Sequence, residues 1–201
     1  EQIKDMELDG VDVSILYPTA GLQLYKIPDG LLLTAMLRTY NDWLAEFCEA
    51  SPDRLKGIAM INVDDVSEGA SDLEHRANQG FVGAMIPVYP PEDQRYDSPE
   101  YDRLWGAAQD LGMPLSLHIA TNRFGSGEGG QAEGARVGIS PNSDFFARAS
   151  ISDLILSGVF ERFPKLQVGT VEHELGWAPF FLSRLDYTYD QQGFGREGYR
   201  F

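Results

Sequence analysis

The chain has 201 residues, 43% of them hydrophobic and 23% charged, which suits one soluble domain with a sizeable core and excludes disorder as its dominant state. Its formal net charge of -15 argues against nucleic acid and anionic membrane surfaces, since phosphate backbones are bound by an excess of Lys and Arg. One cysteine, Cys48, excludes an intrachain disulfide and any Cys-based zinc framework.

Short apolar runs alternate with longer amphipathic stretches along the chain. The first run is Val11–Tyr17, and the first helical pattern follows over Leu31–Ala50, where Leu32, Ala35, Met36, Tyr40, Trp43 and Phe47 keep helical spacing. Cys48 falls in that pattern and reads as packing. A run at Gly57–Val63 leads to a helix over Ser67–Gln79, and a run at Phe81–Val88 to one over Pro99–Leu111. Gly80 and Gly112 close these two helices. The fourth run, Leu115–Ile119, ends in a long Gly-rich stretch, Asn122–Asn142. A helix over Ser150–Phe163, a fifth run at Leu166–Val171 and a last helix over Pro179–Tyr189 complete the series.

Strand and helix in strict alternation imply right-handed crossovers and a parallel sheet. The turn after Tyr17 reads Pro18-Thr19-Ala20-Gly21-Leu22, which is no phosphate-binding loop, so a (β/α) barrel is preferred over an open nucleotide-binding sheet. An eight-stranded barrel takes about 250 residues, so this chain is expected to be a single partial α/β barrel domain. On a barrel, the Gly-rich stretch would lie at the C-terminal face, where active sites are built; the competing reading is a surface insertion.

Three histidines are candidates for chemistry. His75 sits in a charged helix and reads as a solvated surface position. His118 closes a strand in which Leu115, Leu117 and Ile119 share one face while Ser116 and His118 share the other, pointing into the barrel. That is the place from which a metal ligand or an acid/base projects. His173 lies in Glu172-His173-Glu174, three ionisable residues at a strand end that either face solvent or line a polar site. In a regular strand Glu172 and His173 point to opposite faces, so only one would face the barrel. No nucleophile elbow and no His-Glu-x-x-His zinc-protease helix occurs.

Phe163-Pro164-Lys165-Leu166-Gln167-Val168, then Glu172-His173-Glu174-Leu175-Gly176-Trp177 and Pro179-Phe180-Phe181-Leu182-Ser183-Arg184-Leu185-Asp186, resemble the sixth strand-helix unit of the amidohydrolase-related family. That family includes aminocarboxymuconate-semialdehyde decarboxylase and related aromatic-acid decarboxylases and hydrolases. Tyr40-Asn41-Asp42-Trp43-Leu44 with Ser51-Pro52-Asp53-Arg54-Leu55, and Asp110-Leu111-Gly112-Met113-Pro114-Leu115-Ser116-Leu117-His118, resemble earlier units.

The resemblance implies strands two to six of an eight-stranded barrel with one divalent metal, zinc in the first instance. It makes His118 a metal ligand and assigns proton transfer to His173 or Glu172, which align equally well with the sixth-strand acid/base. The family's His-x-His pair is absent from this sequence. The expected activity is that of a metal-dependent hydrolase acting on a small molecule, with a metal-dependent decarboxylase as the alternative. Trp177 and the Gly-rich stretch beginning at Asn122 are candidates for covering the substrate. The competing reading from another class is a catalytically incomplete barrel acting through contacts, with residues 172–174 simply solvated. Convergence of His118 with Glu172 or His173 within about 5 Å separates the two, as metal-site geometry demands. With no signal segment and no span of about 20 apolar residues, the expected setting is the cytoplasm, with a small-molecule substrate and a possible homo-oligomer as partners.

Overall fold

A computed structural model describes residues 1–91, 93–123, 142 and 144–192. A short helix α1 (Gln2–Asp9) precedes strand β1 (Ser14–Leu16), a 3-10 helix (Ala20–Lys26) and the long helix α2 (Gly30–Glu49). There follow β2 (Leu55–Met60), α3 (Val66–Asn78), β3 (Gly83–Pro87), a 3-10 turn (Pro99–Tyr101) running into α4 (Asp102–Leu111), and β4 (Leu115–His118). Helices α5 (Phe145–Leu156) and α6 (Val159–Arg162), strand β5 (Val168–Val171) and α7 (Ala178–Gln192) complete the described elements. The strands form one parallel sheet in sequence order β1-β2-β3-β4-β5, the arrangement of a half-barrel. No helix among the described residues is long and apolar enough to cross a membrane.

Local chemistry sets the helix ends. The Asp29 carboxylate accepts from the Leu32 backbone N–H and opens α2, and Asp65 does the same for α3 through Glu68. Gly112 closes α4 with φ +62°, a conformation a Cβ would oppose. Strand alternation then divides the apolar side chains. Ala59, Ile61, Ala84, Ile86, Leu115 and Leu117 join a large cluster with Leu73, Leu104 and Trp105 from the helices. Ile58, Met60 and Met85 join a smaller one with Tyr25, Leu33 and Leu37. Cys48 is half-buried and packs against the larger cluster, while His75 is exposed on α3.

The sheet is strongly curled. Tyr17, just past β1, reaches Ser116 on β4, its hydroxyl 2.8 Å from Ser116 Oγ. Three inter-strand steps in a flat sheet span about 14 Å, more than these two side chains can bridge. The concave side carries Met60, Met85, Ser116 and Gly169 at one level and Pro87, His118 and Val171 at the next towards the strand C-termini.

Several boundaries differ from the sequence pattern. The first apolar run shrinks to three strand residues, because Val11 and Val13 stay exposed and the Arg54 guanidinium takes the carbonyls of Val11 and Asp12. The helix expected from Ser150 starts at Phe145 and breaks at Gly158, whose φ is +72°. The 3-10 helix Ala20–Lys26 and α1 carry no clear helical period. Past the end of β1, the Asn41 carboxamide on α2 donates to the Met60 carbonyl and accepts from its N–H, both at 2.8 Å. Ile61 donates to Met85 on β3, so Met60 faces the β1 side, where Asn41 takes the place of a strand.

Candidate active site

The candidate groups meet where β4 and β5 end. His118 is paired in register with Val171 and is 4% exposed. Its Nδ1 lies 3.0 Å from the Ile119 carbonyl oxygen. A carbonyl only accepts, so Nδ1 carries the hydrogen and Nε2 keeps its lone pair. That nitrogen lies 3.9 Å from Glu172 Oε2, beyond hydrogen-bond length. Two tetrahedral donors of one ion at about 2.1 Å lie roughly 3.4 Å apart, so this spacing is close to that of a pair converging on a cation. The distance falls within about 5 Å, with the Glu172 side chain 66% exposed rather than enclosed with His118.

The backbone removes the premise that set Glu172 against His173. The strand ends at Val171, and Glu172 adopts φ +63°, so the period-two rule no longer applies. Glu172 turns its exposed carboxylate towards His118, while His173 is buried at 3% exposure. Glu174 is again left-handed, at φ +57°. Such non-glycine conformations cost about 1–3 kcal/mol and gather at functional sites. Neither ring nitrogen of His173 makes a well-formed hydrogen bond among the described residues, although the Val171 backbone lies near enough to act on the ring. Burial lowers the pKa of this imidazole and His118 lowers it further, outweighing Asp144, the Val171 backbone and Glu172, which raise it.

Trp177 Nε1 donates to the His173 carbonyl at 2.6 Å, and its ring packs edge-on against Phe181. The indole thus braces the residue-173 backbone. Asn122 is half-buried just after the β4 turn. The Gly-rich stretch expected to cover the site falls almost wholly outside the described residues.

The exit of β4 is secured by residues that no sequence pattern singled out. Ala120 is left-handed at φ +68°, and Thr121 Oγ1 donates to the His118 carbonyl while accepting from Val88 N–H, each at 2.7 Å. Arg123, 4% exposed, grips the Asp64 carboxylate at the end of β2 and donates to the carbonyls of Tyr25 and Ile27. These partners lie far from it in sequence, so only the fold brings them together.

A zinc-type site needs about three protein ligands. His118 and Glu172 could supply two, and no group of three or more His, Cys, Asp or Glu that could hold a metal occurs among the described residues. The described residues therefore do not complete a metal site.

Comparison with known proteins supports the half-barrel fold. A gamma-resorcylate decarboxylase of Rhizobium sp. strain MTP-10005 is 28% identical over 194 residues, covering 92% of this chain and 58% of the relative. Decarboxylase orsB of Emericella nidulans is 32% identical over 160 residues, covering 73% of this chain and 46% of the relative. Among solved structures, a 5-carboxyvanillate decarboxylase of Novosphingobium aromaticivorans with bound manganese superposes with a TM-score of 0.73 at 25% identity, over 96% of this chain and 54% of that one. The chain thus spans about half the length of these proteins, from 46% to 58%. The Amidohydrolase family profile matches residues 4–193, and the chain belongs to that family.

Proposed function

We propose that this half-barrel serves a metal-dependent carboxy-lyase that removes CO2 from a small hydroxylated aromatic acid. The observation that carries the reading is the buried imidazole of His173, without a well-formed hydrogen bond among the described residues, next to the His118–Glu172 pair, in a chain similar to aromatic-acid decarboxylases over 92% of its length. The relatives favour decarboxylation over the broader hydrolase expectation. A divalent ion is part of the proposal, and manganese in the structure of a relative widens the choice beyond zinc. His118 and Glu172 would be two of the donors to that ion.

In decarboxylation the ring carbon that bears the carboxylate takes up a proton, the bond to the carboxyl carbon breaks, and its electron pair restores the aromatic ring. The proton has to come from a group held near that carbon and kept from water. His173 suits both demands: it is buried, and after taking a proton from the incoming acid its imidazolium form, a stronger acid for the burial that lowers its pKa, delivers that proton to the ring carbon and returns to the neutral ring. Burial around it disfavours the separated charge of the carboxylate and favours neutral CO2.

The test is CO2 release by the manganese-loaded protein from 2,6-dihydroxybenzoate and 5-carboxyvanillate, with His173→Asn alongside. Release that falls about a hundredfold or more in the variant supports the reading. Hydrolysis of a lactone or amide panel without any CO2 release would return the protein to the hydrolases.

A further inference from the structure

We propose that Tyr17 is a positioning residue for His118, a strut thrown across the concave face from β1 to β4; this rests on the catalytic reading of His118 given above. The Tyr17 ring lies 5.7 Å from the imidazole, centroid to centroid, with the planes inclined by 50°. Its hydroxyl is 2.8 Å from Ser116 Oγ, on the residue two before His118 and on the same face of the same strand. One side chain therefore touches the strand backing of His118 through its tip and the imidazole through its ring.

The rest of the first contact shell leaves this task to Tyr17. His118 is tied on its Nδ1 side to Ile119, a bond that fixes the tautomer and leaves the ring free to tilt about it. Glu172, on the Nε2 side, is 66% exposed and beyond hydrogen-bond length, so it does not hold the ring. Tyr17 is held in turn by the apolar cluster of Ile58, Met60 and Met85, against which it packs. Pro18, buried directly after it, fixes the backbone that leaves β1. The phenol is thus rigid at its base and anchored at its tip, as a group that sets the angle of another side chain has to be.

The proposal predicts a graded response. Tyr17→Phe keeps the ring and loses the tip anchor, which is worth about 1 kcal/mol, or roughly fivefold in kcat. Tyr17→Ala removes ring and anchor together and is expected to cost roughly a hundredfold in kcat, the penalty of a catalytic group misplaced by about 1 Å. KM stays within about twofold in Tyr17→Phe, because the phenol acts through His118 rather than on bound substrate. Ser116→Ala added to Tyr17→Phe has no further effect, since the two hydroxyls make one bond.

A readout independent of turnover is the ring ¹H–¹⁵N spectrum of protein labelled with ¹⁵N-histidine. The His118 signals, assigned with His118→Asn, shift in Tyr17→Phe, while those of the distant surface residue His75 do not. Unmoved His118 signals together with unchanged kcat in the isosteric Tyr17→Phe variant overturn the proposal, as do independent, multiplying effects of the Tyr17 and Ser116 substitutions. If the wild-type protein releases no CO2 from any hydroxybenzoate while the His118 signals still shift, the decarboxylase reading falls and the strut stands.

Discussion

The exits of β4 and β5 lie side by side and are built in opposite ways. After β4, Thr121 satisfies the His118 carbonyl and Val88 N–H, and Arg123 ties the chain to β2 and to the 3-10 helix, so the polar groups are consumed within the protein. After β5, two exposed glutamates hold left-handed backbone angles, Glu172 turned towards His118, and the buried imidazole between them has no well-formed hydrogen bond among the described residues. The first exit stabilises the fold and delivers a fixed His118. The second holds strained backbone around a buried group that, in the proposed function, is the one to meet the substrate. A site of this kind needs both, because a reactive group is useful only against a rigid reference.

The sharpest way to break this contrast is at His173. Replacement by Leu, which removes two buried nitrogens without well-formed hydrogen bonds among the described residues, is expected to lower turnover by about a hundred- to ten-thousand-fold while leaving the thermal midpoint unchanged or higher. A variant that unfolds instead would show that the imidazole has a structural partner and that the β5 exit is not held open. At the other exit, Arg123→Met leaves the half-buried Asp64 carboxylate and two carbonyls without their donor. Denaturant unfolding should report a loss of about 3 kcal/mol, near the lower bound for breaking a buried ion pair. A loss below about 1 kcal/mol would mean that the β4 turn is held by its backbone alone.

Thr121→Val tests the same turn with a smaller change. It keeps the shape but strands the Val88 N–H, which is buried, at an expected cost of about 1–3 kcal/mol. The smallest effect is expected at Glu174, whose φ of +57° suits glycine. Glu174→Gly should stabilise by up to about 1 kcal/mol in the same unfolding assay. Destabilisation there would remove the argument that strain is stored beside His173.

Much of the scaffold is legible in the sequence, because each strand that lies inside the sheet is an aliphatic run with its own helix. Where the run was not buried, as at Val11 and Val13, the pattern overextended the strand: hydrophobicity signals burial only when something covers it. His118 was legible for the same reason as the scaffold, since period two alone separates it from Leu117. The β5 exit was not, because the rule that opposed Glu172 to His173 assumes a regular strand. Left-handed backbone is foreshadowed in sequence by glycine or asparagine, and here it falls on glutamates. Thr121, Arg123 and Tyr17 were invisible in a different way. Tyr17 and Ser116 are 99 residues apart, and Arg123 and Asp64 are 59 apart, so local pattern carries no trace of either pairing.

The Asn41 carboxamide, lodged against Met60, has a consequence for association. A parallel strand offers its edge as a ladder of alternating donors and acceptors, and any extended peptide can lengthen the sheet there. At the height of Met60 that rung is already occupied by a side chain with both partners matched. A foreign strand seeking this part of β2 would have to evict the amide and leave it buried without partners. The helix that crosses from β1 to β2 thereby acts as a stopper, directing any growth of the sheet to the flanks of β1 and β5.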